Sequence, residues 1–336
     1  MMSETEILLR NSVLYTTHDD FIETALKVFQ FQYLNNENYR KYCDLLHLNP
    51  EVISSIEDIP YLPIQFFKNK EIKTTAFKEG TLFESSGTSG SVNSRHFVKD
   101  KNLYEESFLQ TFRQQYGSER NYCILGLLPS YLEKKNSSLV YMVQRLITES
   151  ENINGGFYLN EFEQLKKILL KNEAAQQPTL LIGVTYALLD FAEKNKMSLS
   201  YTTIMETGGM KGRREELTRN EVHKVLTENL AVTHIHSEYG MTELLSQAYS
   251  AGKGIFTAPA HMRILIRSND DPFNVRQNAD FSQGITGAVN IIDLANLYSC
   301  SFIATDDTGK LYPNKSFEIT GRLENSDMRG CSLMAL

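Results

Sequence analysis

From Tyr122 onward the chain alternates short apolar runs with segments whose apolar residues recur at helical spacing. YCILGLLP, LLIGV, TTIMET and VTHIHS read as strands. The stretches Leu139 to Thr148, Glu161 to Lys171, Tyr186 to Lys194 and Arg213 to Asn229 read as the helices between them. Strands joined by helices of about ten to fifteen residues form βαβ units, which call for a mostly parallel sheet. Past Arg263 the pattern becomes strand, turn, strand in RILIRS, GAVNIIDL, SFIATD and SFEITGR, with turn signals at Asn269-Asp270-Asp271-Pro272 and Asp307-Thr308-Gly309. The first seventy residues are helical and aromatic. Asp20 to Tyr33 sets Phe21, Ala25, Val28 and Phe29 at helical spacing with Asp19 and Asp20 available as caps, and the two prolines of IPYLPIQFF mark an extended segment. The expected organisation is a helical region over 1–80 packed on the core, an α/β core over 81–262 and a β-rich subdomain with a mobile tail over 263–336, all in one compact unit.

Composition narrows the partners. Of 336 residues 34 are basic and 41 acidic, a net charge of −7, so no basic field favours nucleic acid or an anionic membrane surface. With 41% hydrophobic and 22% charged residues, the chain is too apolar for disorder. No run approaches the roughly 18 apolar residues of a membrane span, and the amino terminus carries Glu4 and Glu6 where a signal peptide would be basic. Cys43, Cys123, Cys300 and Cys331 form no CxxC or Cys/His metal pattern, so reduced thiols and a cytoplasmic setting are expected. Cys43, Cys123 and Cys300 lie in apolar or strand-like surroundings that suit small core residues.

Five segments carry candidate chemistry. Ser85, Ser86, Gly87, Thr88, Ser89 and Gly90 bring hydroxyls and backbone N–H groups together in a way that suits ATP phosphates, although the segment lacks the Walker ending and is equally readable as a Ser/Gly linker. Glu238-Tyr239-Gly240-Met241-Thr242-Glu243 follows a strand, so it falls at the carboxyl edge of a parallel sheet, where α/β folds bind ligands. There Tyr239 suits stacking on a base, Thr242 a phosphate and Glu243 a Mg2+ ion, while by itself the segment also reads as an ordinary strand-to-helix turn. Glu206-Thr207-Gly208-Gly209-Met210-Lys211-Gly212 sits where a strand meets a charged helix. Asp307 suits ribose hydroxyls and Arg322 ribose or phosphate oxygens, but each alone reads as a hairpin turn or a chance dipeptide. His234 and His236 alternate on a strand just before Glu238, either lining a substrate pocket or serving as structural residues.

SSGTSG, TGGMKG, YGMTE, TDDTG and TGR stand in the order of the core motifs of the acyl-adenylate-forming superfamily, which the chain resembles from about Ser85 to its carboxyl end. Within it, IPYLPIQFFKNKEI, SSGTSGSVNSRH and GRLENSDMRGCSLMAL most resemble the acyl-protein synthetases of the LuxE type. The resemblance implies an α/β fold equivalent to the large amino-terminal domain of that superfamily, without the small carboxyl-terminal domain that supplies a catalytic lysine. It implies ATP and Mg2+, a fatty-acid substrate, and an acyl reductase partner. The phosphate loop, Tyr239 with Gly208 and Gly209 at adenine, Asp307 with Arg322 at ribose, and Glu243 at the metal would form the site, with Arg95, His96, Lys211 and Arg322 as candidate cations. Cys331 matches the cysteine that carries the acyl group as a thioester in that family. Ligation to coenzyme A or a carrier protein, possible for an aryl acid too, and a non-catalytic nucleotide-binding subunit are the alternatives.

Overall fold

The computed structural model describes residues 2–78, 80–85, 92–129, 136–208, 217–277 and 283–323. Helices α1 (Glu4–Ser12), α2 (Phe21–Asn35) and α3 (Glu37–Leu45) open the chain. Phe21, Ala25, Val28 and Phe29 of α2 are buried along one face, as their spacing requires. Asp20 stands at the N-cap position of α2, but its carboxylate accepts from the Thr17 N–H and hydroxyl rather than from the helix. Asn36 caps α3 by accepting from Tyr39 N at 3.0 Å. The proline-bounded run yields a two-residue strand β1 (Leu62–Pro63) and one turn of helix α4 (Phe66–Asn69).

The Ser/Thr/Gly loop joins β2 (Thr81–Glu84) to β3 (Arg95–Val98) in an antiparallel hairpin. Ser85 and Ser94 close its base, with Ser85 N donating to Ser94 O at 3.0 Å and Ser94 N to Ser85 Oγ at 2.8 Å. Helix α5 (Lys101–Tyr116) follows, capped by Asp100.

The predicted βαβ alternation is present as β4 (Cys123–Leu127), α6 (Ser138–Ser150), β5 (Gly156–Phe157), α7 (Phe162–Ala174), β6 (Thr179–Gly183), α8 (Thr185–Lys194), β7 (Thr202–Glu206), α9 (Arg219–Leu230) and β8 (Ile235–Tyr239). These strands pair in parallel in the order β5-β4-β6-β7-β8, and β9 (Ala248–Ser250) adds an antiparallel edge. Every residue of β4 and β6 is buried, which is why they read as unbroken apolar runs.

A second six-stranded sheet is built from β10 (Met262–Arg267), β11 (Val275–Arg276), β12 (Ile285–Asp293), β13 (Phe302–Leu311) and β14 (Phe317–Arg322), with β1 joining β13 in parallel. The Asp307-Thr308-Gly309 turn expectation is corrected here: these residues lie inside β13. A register shift against β14 falls between Thr308 and Gly309, and a Cβ at Gly309 would stand 2.5 Å from the Glu318 carbonyl oxygen. Glycine therefore serves close backbone approach at a bulge, not reversal. The hairpin turns instead beyond Leu311, where Lys315 takes φ 66° and Tyr312 N donates to Ser316 O at 2.9 Å.

The amino-terminal helices are stitched to this second sheet. Gln32 donates to the carbonyls of Asn296 and Leu297 and accepts from Ser301 N, and Asn36 and Thr74 both donate to the Ser299 carbonyl. Around Phe302 the rings of Phe29, Tyr39 and Tyr61 pack with centroids 6.1–6.3 Å away. Among the described residues no helix is long and apolar enough to cross a membrane.

Candidate active site

Parallel pairing brings the carboxyl ends of β6, β7 and β8 to one edge of the sheet, so residues following each strand converge there. Thr207 N donates to the Gly183 carbonyl at 3.0 Å and Thr185 N to that of Gly208 at 3.4 Å, holding the turn after β7 against that after β6. Glu206, 2% exposed, anchors this turn: its Oε2 accepts from Gly208 N at 2.7 Å and from the Thr185 hydroxyl at 3.2 Å. Burial raises the Glu206 pKa, and the His223 ring, 3.9 Å from Oε1, together with the Ser237 hydroxyl and the Arg219 charge, more than reverses this, so the carboxyl lies below its usual range. The next strand carries Glu238, whose carboxyl burial and then the Glu206 charge push up to about 8. The two carboxylates thus differ in charge at neutral pH, Glu206 ionised and Glu238 protonated.

Tyr239 ends β8. Its ring packs against Phe256 and Phe317, and its hydroxyl donates to Asp307 Oδ2 at 2.8 Å. Arg322 Nη2 lies 3.1 Å from Asp306 Oδ2 and its Nε 3.6 Å from Asp307 Oδ1. Gln65 donates to the other oxygen of Asp306 at 2.5 Å. The bulged β13, β14 and the segment after β1 are therefore tied to the end of β8.

The hairpin contributes His96. It is buried, its Nδ1 lies 2.8 Å from the Thr242 carbonyl, and Phe67 stands edge-on at 5.8 Å. Burial, only partly offset by the Thr242 hydrogen bond and the Glu243 charge, pushes its pKa down to about 4. His96 is accordingly neutral near pH 7, which removes it from the candidate cations. Arg95, its neighbour in β3, turns to the other face of the hairpin and lies over Phe97 at 5.9 Å.

Glu243 is fully buried, and its carbonyl accepts from Asn296 Nδ2 at 2.8 Å. Among the described residues no three His, Cys, Asp or Glu side chains gather as a metal cluster. A single buried hard carboxylate still suits a magnesium ion, which is commonly bound by one or two carboxylates and takes its other ligands from phosphates and water.

The structure therefore gathers Gly208, Glu238, Tyr239, Gly240, Met241, Thr242, Glu243, Asp307 and Arg322 about one sheet edge, with Ser85 at the base of the hairpin. Ser86, Gly87, Thr88, Ser89, Gly90, Gly209, Lys211 and Cys331 lie outside the described residues. The expectation that His234 and His236 share a strand face beside this edge is corrected. β8 begins at Ile235, so His234 precedes it and is exposed, and His236 lies in the half of the strand remote from Tyr239, with Nδ1 3.1 Å from the Tyr116 hydroxyl. Gln65 was not singled out from the sequence, and Glu206 and Asp306 stood there as members of candidate segments without a role of their own.

Two curated relatives are similar along most of their length. The long-chain-fatty-acid–luciferin-component ligase of Aliivibrio fischeri is 26% identical over 91% of this chain and 85% of its own. The protein of the same name from Vibrio harveyi is 24% identical over 91% and 84%. Solved structures overlap less fully. A long-chain-fatty-acid-CoA ligase from Archaeoglobus fulgidus is 14% identical over 72% of this chain with a TM-score of 0.46. The luciferase-like enzyme of the mealworm Zophobas morio is 14% identical over 75% with a TM-score of 0.49. The chain spans 51% and 60% of those two proteins, and overlaps at these scores carry no weight of their own. Residues 16–335 match the family described as acyl-protein synthetase, LuxE, and the chain belongs to that family.

Proposed function

We propose that the protein activates a long-chain fatty acid with Mg·ATP as the acyl-adenylate, then takes the acyl group onto Cys331 as a thioester for delivery to an acyl reductase. The carrying observation is the convergence of the Gly208 turn, the Tyr239–Asp307–Arg322 cluster and the base of the Ser/Thr/Gly hairpin on one sheet edge, in a chain of the acyl-protein synthetase family.

In the first step a carboxylate oxygen of the fatty acid bonds to the α-phosphorus and the bond to pyrophosphate breaks. The hairpin loop 85–90 holds the phosphates, Tyr239 with Gly208 and Gly209 frames adenine, and Asp307 with Arg322 holds the ribose. Glu243 would hold the magnesium, which when bound would screen the charge spread over the phosphates. The cation at the reacting carboxylate and α-phosphate is assigned to Lys211. His96 is neutral, Arg322 is engaged by two aspartates, and Arg95 faces away from Thr242. In the second step the Cys331 thiolate bonds to the acyl carbon and AMP leaves. Cys43, Cys123 and Cys300 are buried, and burial pushes the Cys43 thiol up to about 12 and raises the other two, so none offers a thiolate near neutrality. That leaves Cys331.

ATP–pyrophosphate exchange with fatty acids of graded length and with aryl acids tests the first step, and gel detection of hydroxylamine-labile acyl protein tests the second. Cys331→Ala is expected to keep exchange and lose more than nine-tenths of the label, on the order of tenfold or greater. Label that persists in Cys331→Ala overturns the thioester assignment. Absence of exchange with every acid overturns the ligase reading.

A further inference from the structure

His96 is a buried imidazole for which the reaction above has no use. Its Nδ1 faces the Thr242 carbonyl at 2.8 Å, and because a carbonyl only accepts, Nδ1 carries the proton; in the neutral ring, the form that burial favours, Nε2 is then an acceptor. Among the described residues that Nε2 is buried with no hydrogen-bond partner, in a residue only 1% exposed. A buried acceptor left without a donor costs free energy and is uncommon in folded proteins, so it points to a donor that arrives with a ligand. The backbone around it narrows the choice. The Thr242 and Glu243 carbonyls flank the peptide that carries the Glu243 side chain, and they are held from two sides, one by His96 of β3 and the other by Asn296 after β12. Both clamps come from elements far away in sequence, so the height of the Glu243 carboxylate is fixed relative to the hairpin that precedes it by about 150 residues.

We infer that His96 is a positioning residue for the divalent cation held by Glu243. Its Nδ1–H locks the Thr242 carbonyl to the hairpin, and its Nε2 accepts a hydrogen bond from a water in the shell of that cation. Magnesium releases its waters reluctantly, and each retained water presents donors outward. Outer-shell partners of this kind are worth about 10–100-fold in metal affinity. The inference rests on the reading of Glu243 as the metal-holding residue.

The test uses the full chain with a non-hydrolysable ATP analogue and Mn2+ as the probe, with free Mn2+ followed by its electron paramagnetic resonance signal. His96→Asn keeps an N–H where Nδ1 stood and has nothing at Nε2. It is expected to unfold close to the wild-type temperature, to bind the analogue unchanged in the absence of metal, and to bind Mn2+ about tenfold more weakly. His96→Phe, which lacks both nitrogens, is expected to lose Mn2+ affinity and thermal stability together. Wild-type Mn2+ affinity in His96→Asn, alongside its loss in Glu243→Gln, overturns the role of His96 alone. Unchanged affinity in Glu243→Gln overturns the metal assignment and this role with it.

Discussion

Asp293→Ala is expected to remove on the order of 4 kcal/mol of folding stability, more than the loss of any single surface ion pair in the molecule. Asp293 closes β12, is fully buried, and accepts four hydrogen bonds. Its Oδ2 takes the Leu245 and Ser246 N–H groups at 2.8 and 3.0 Å, and its Oδ1 takes the Ser246 hydroxyl at 2.6 Å and the Ala295 N–H at 3.1 Å. Alanine would strand three backbone donors and a hydroxyl where water does not reach, and each orphan costs about 1–3 kcal/mol before relaxation. Asp293→Asn keeps one acceptor oxygen but turns an NH2 toward two of the same donors, so it recovers only part of the loss. Urea unfolding with an unchanged m-value measures the effect. A loss below about 1 kcal/mol would show that the segment after Glu243 rearranges to satisfy itself. The same substitution bears on the site, since Asp293 holds Leu245 and Ser246, the residues that follow Glu243 by two and three positions.

Glu238→Gln is expected to gain stability relative to wild type progressively between about pH 4.5 and pH 8. In the folded chain burial and the Glu206 charge hold the Glu238 carboxyl at about 8, against an ordinary value near 4.5. The unfolded chain therefore ionises first. Through that window this one group binds a proton in the folded state that it has lost in the unfolded state, so its own contribution to stability declines as pH rises, with a slope approaching about 1.4 kcal/mol per pH unit. The contribution is fully present at the acid end and lost once pH passes the folded value. Gln has the shape of the protonated acid and does not ionise. Wild type and variant should therefore be equally stable near pH 4.5, and the variant should be the more stable by several kcal/mol near pH 8. Parallel pH profiles for the two proteins would show that Glu238 titrates normally. Glu206 does not confuse the comparison, because its depressed pKa places its own linkage below the window.

The parallel sheet was legible because strands buried on both faces leave unbroken apolar runs, and because α6 to α9 keep their helical spacing between them. The second sheet was legible for the opposite reason, since its short runs follow one another without helices between them. What misled was local chemistry whose meaning depends on a distant partner. Asp307-Thr308-Gly309 has turn composition, yet Gly309 is small because the Glu318 carbonyl lies over it. His96 was grouped with cations, and only its burial against Thr242 and Phe67 makes it neutral. The strand read as VTHIHS begins only at Ile235, which leaves His234 before it and His236 near its start. Glu206 and Asp293 are common residue types, and their importance comes from the donors that folding brings to them. The order of the five motifs, by contrast, needed no three-dimensional partner to be read.

The stitching of the amino-terminal region to β13 and to the segment just before it sets a schedule for synthesis. Gln32 meets Asn296 across 264 residues and Gln65 meets Asp306 across 241. At typical translation rates of about 5–20 residues per second, α2 and α3 leave the ribosome roughly 10–50 s before Phe302 is made. For that interval Phe29, Tyr39 and Tyr61 have no Phe302 to pack on, and β13 cannot yet pair with β1. The nascent chain therefore presents a fixed aromatic surface to the cell, from residues 21 to 63, that only the last part of translation covers. Ribosome-bound chains stalled before residue 302 should be cleaved within that stretch under limited proteolysis, and chains released after β14 should resist.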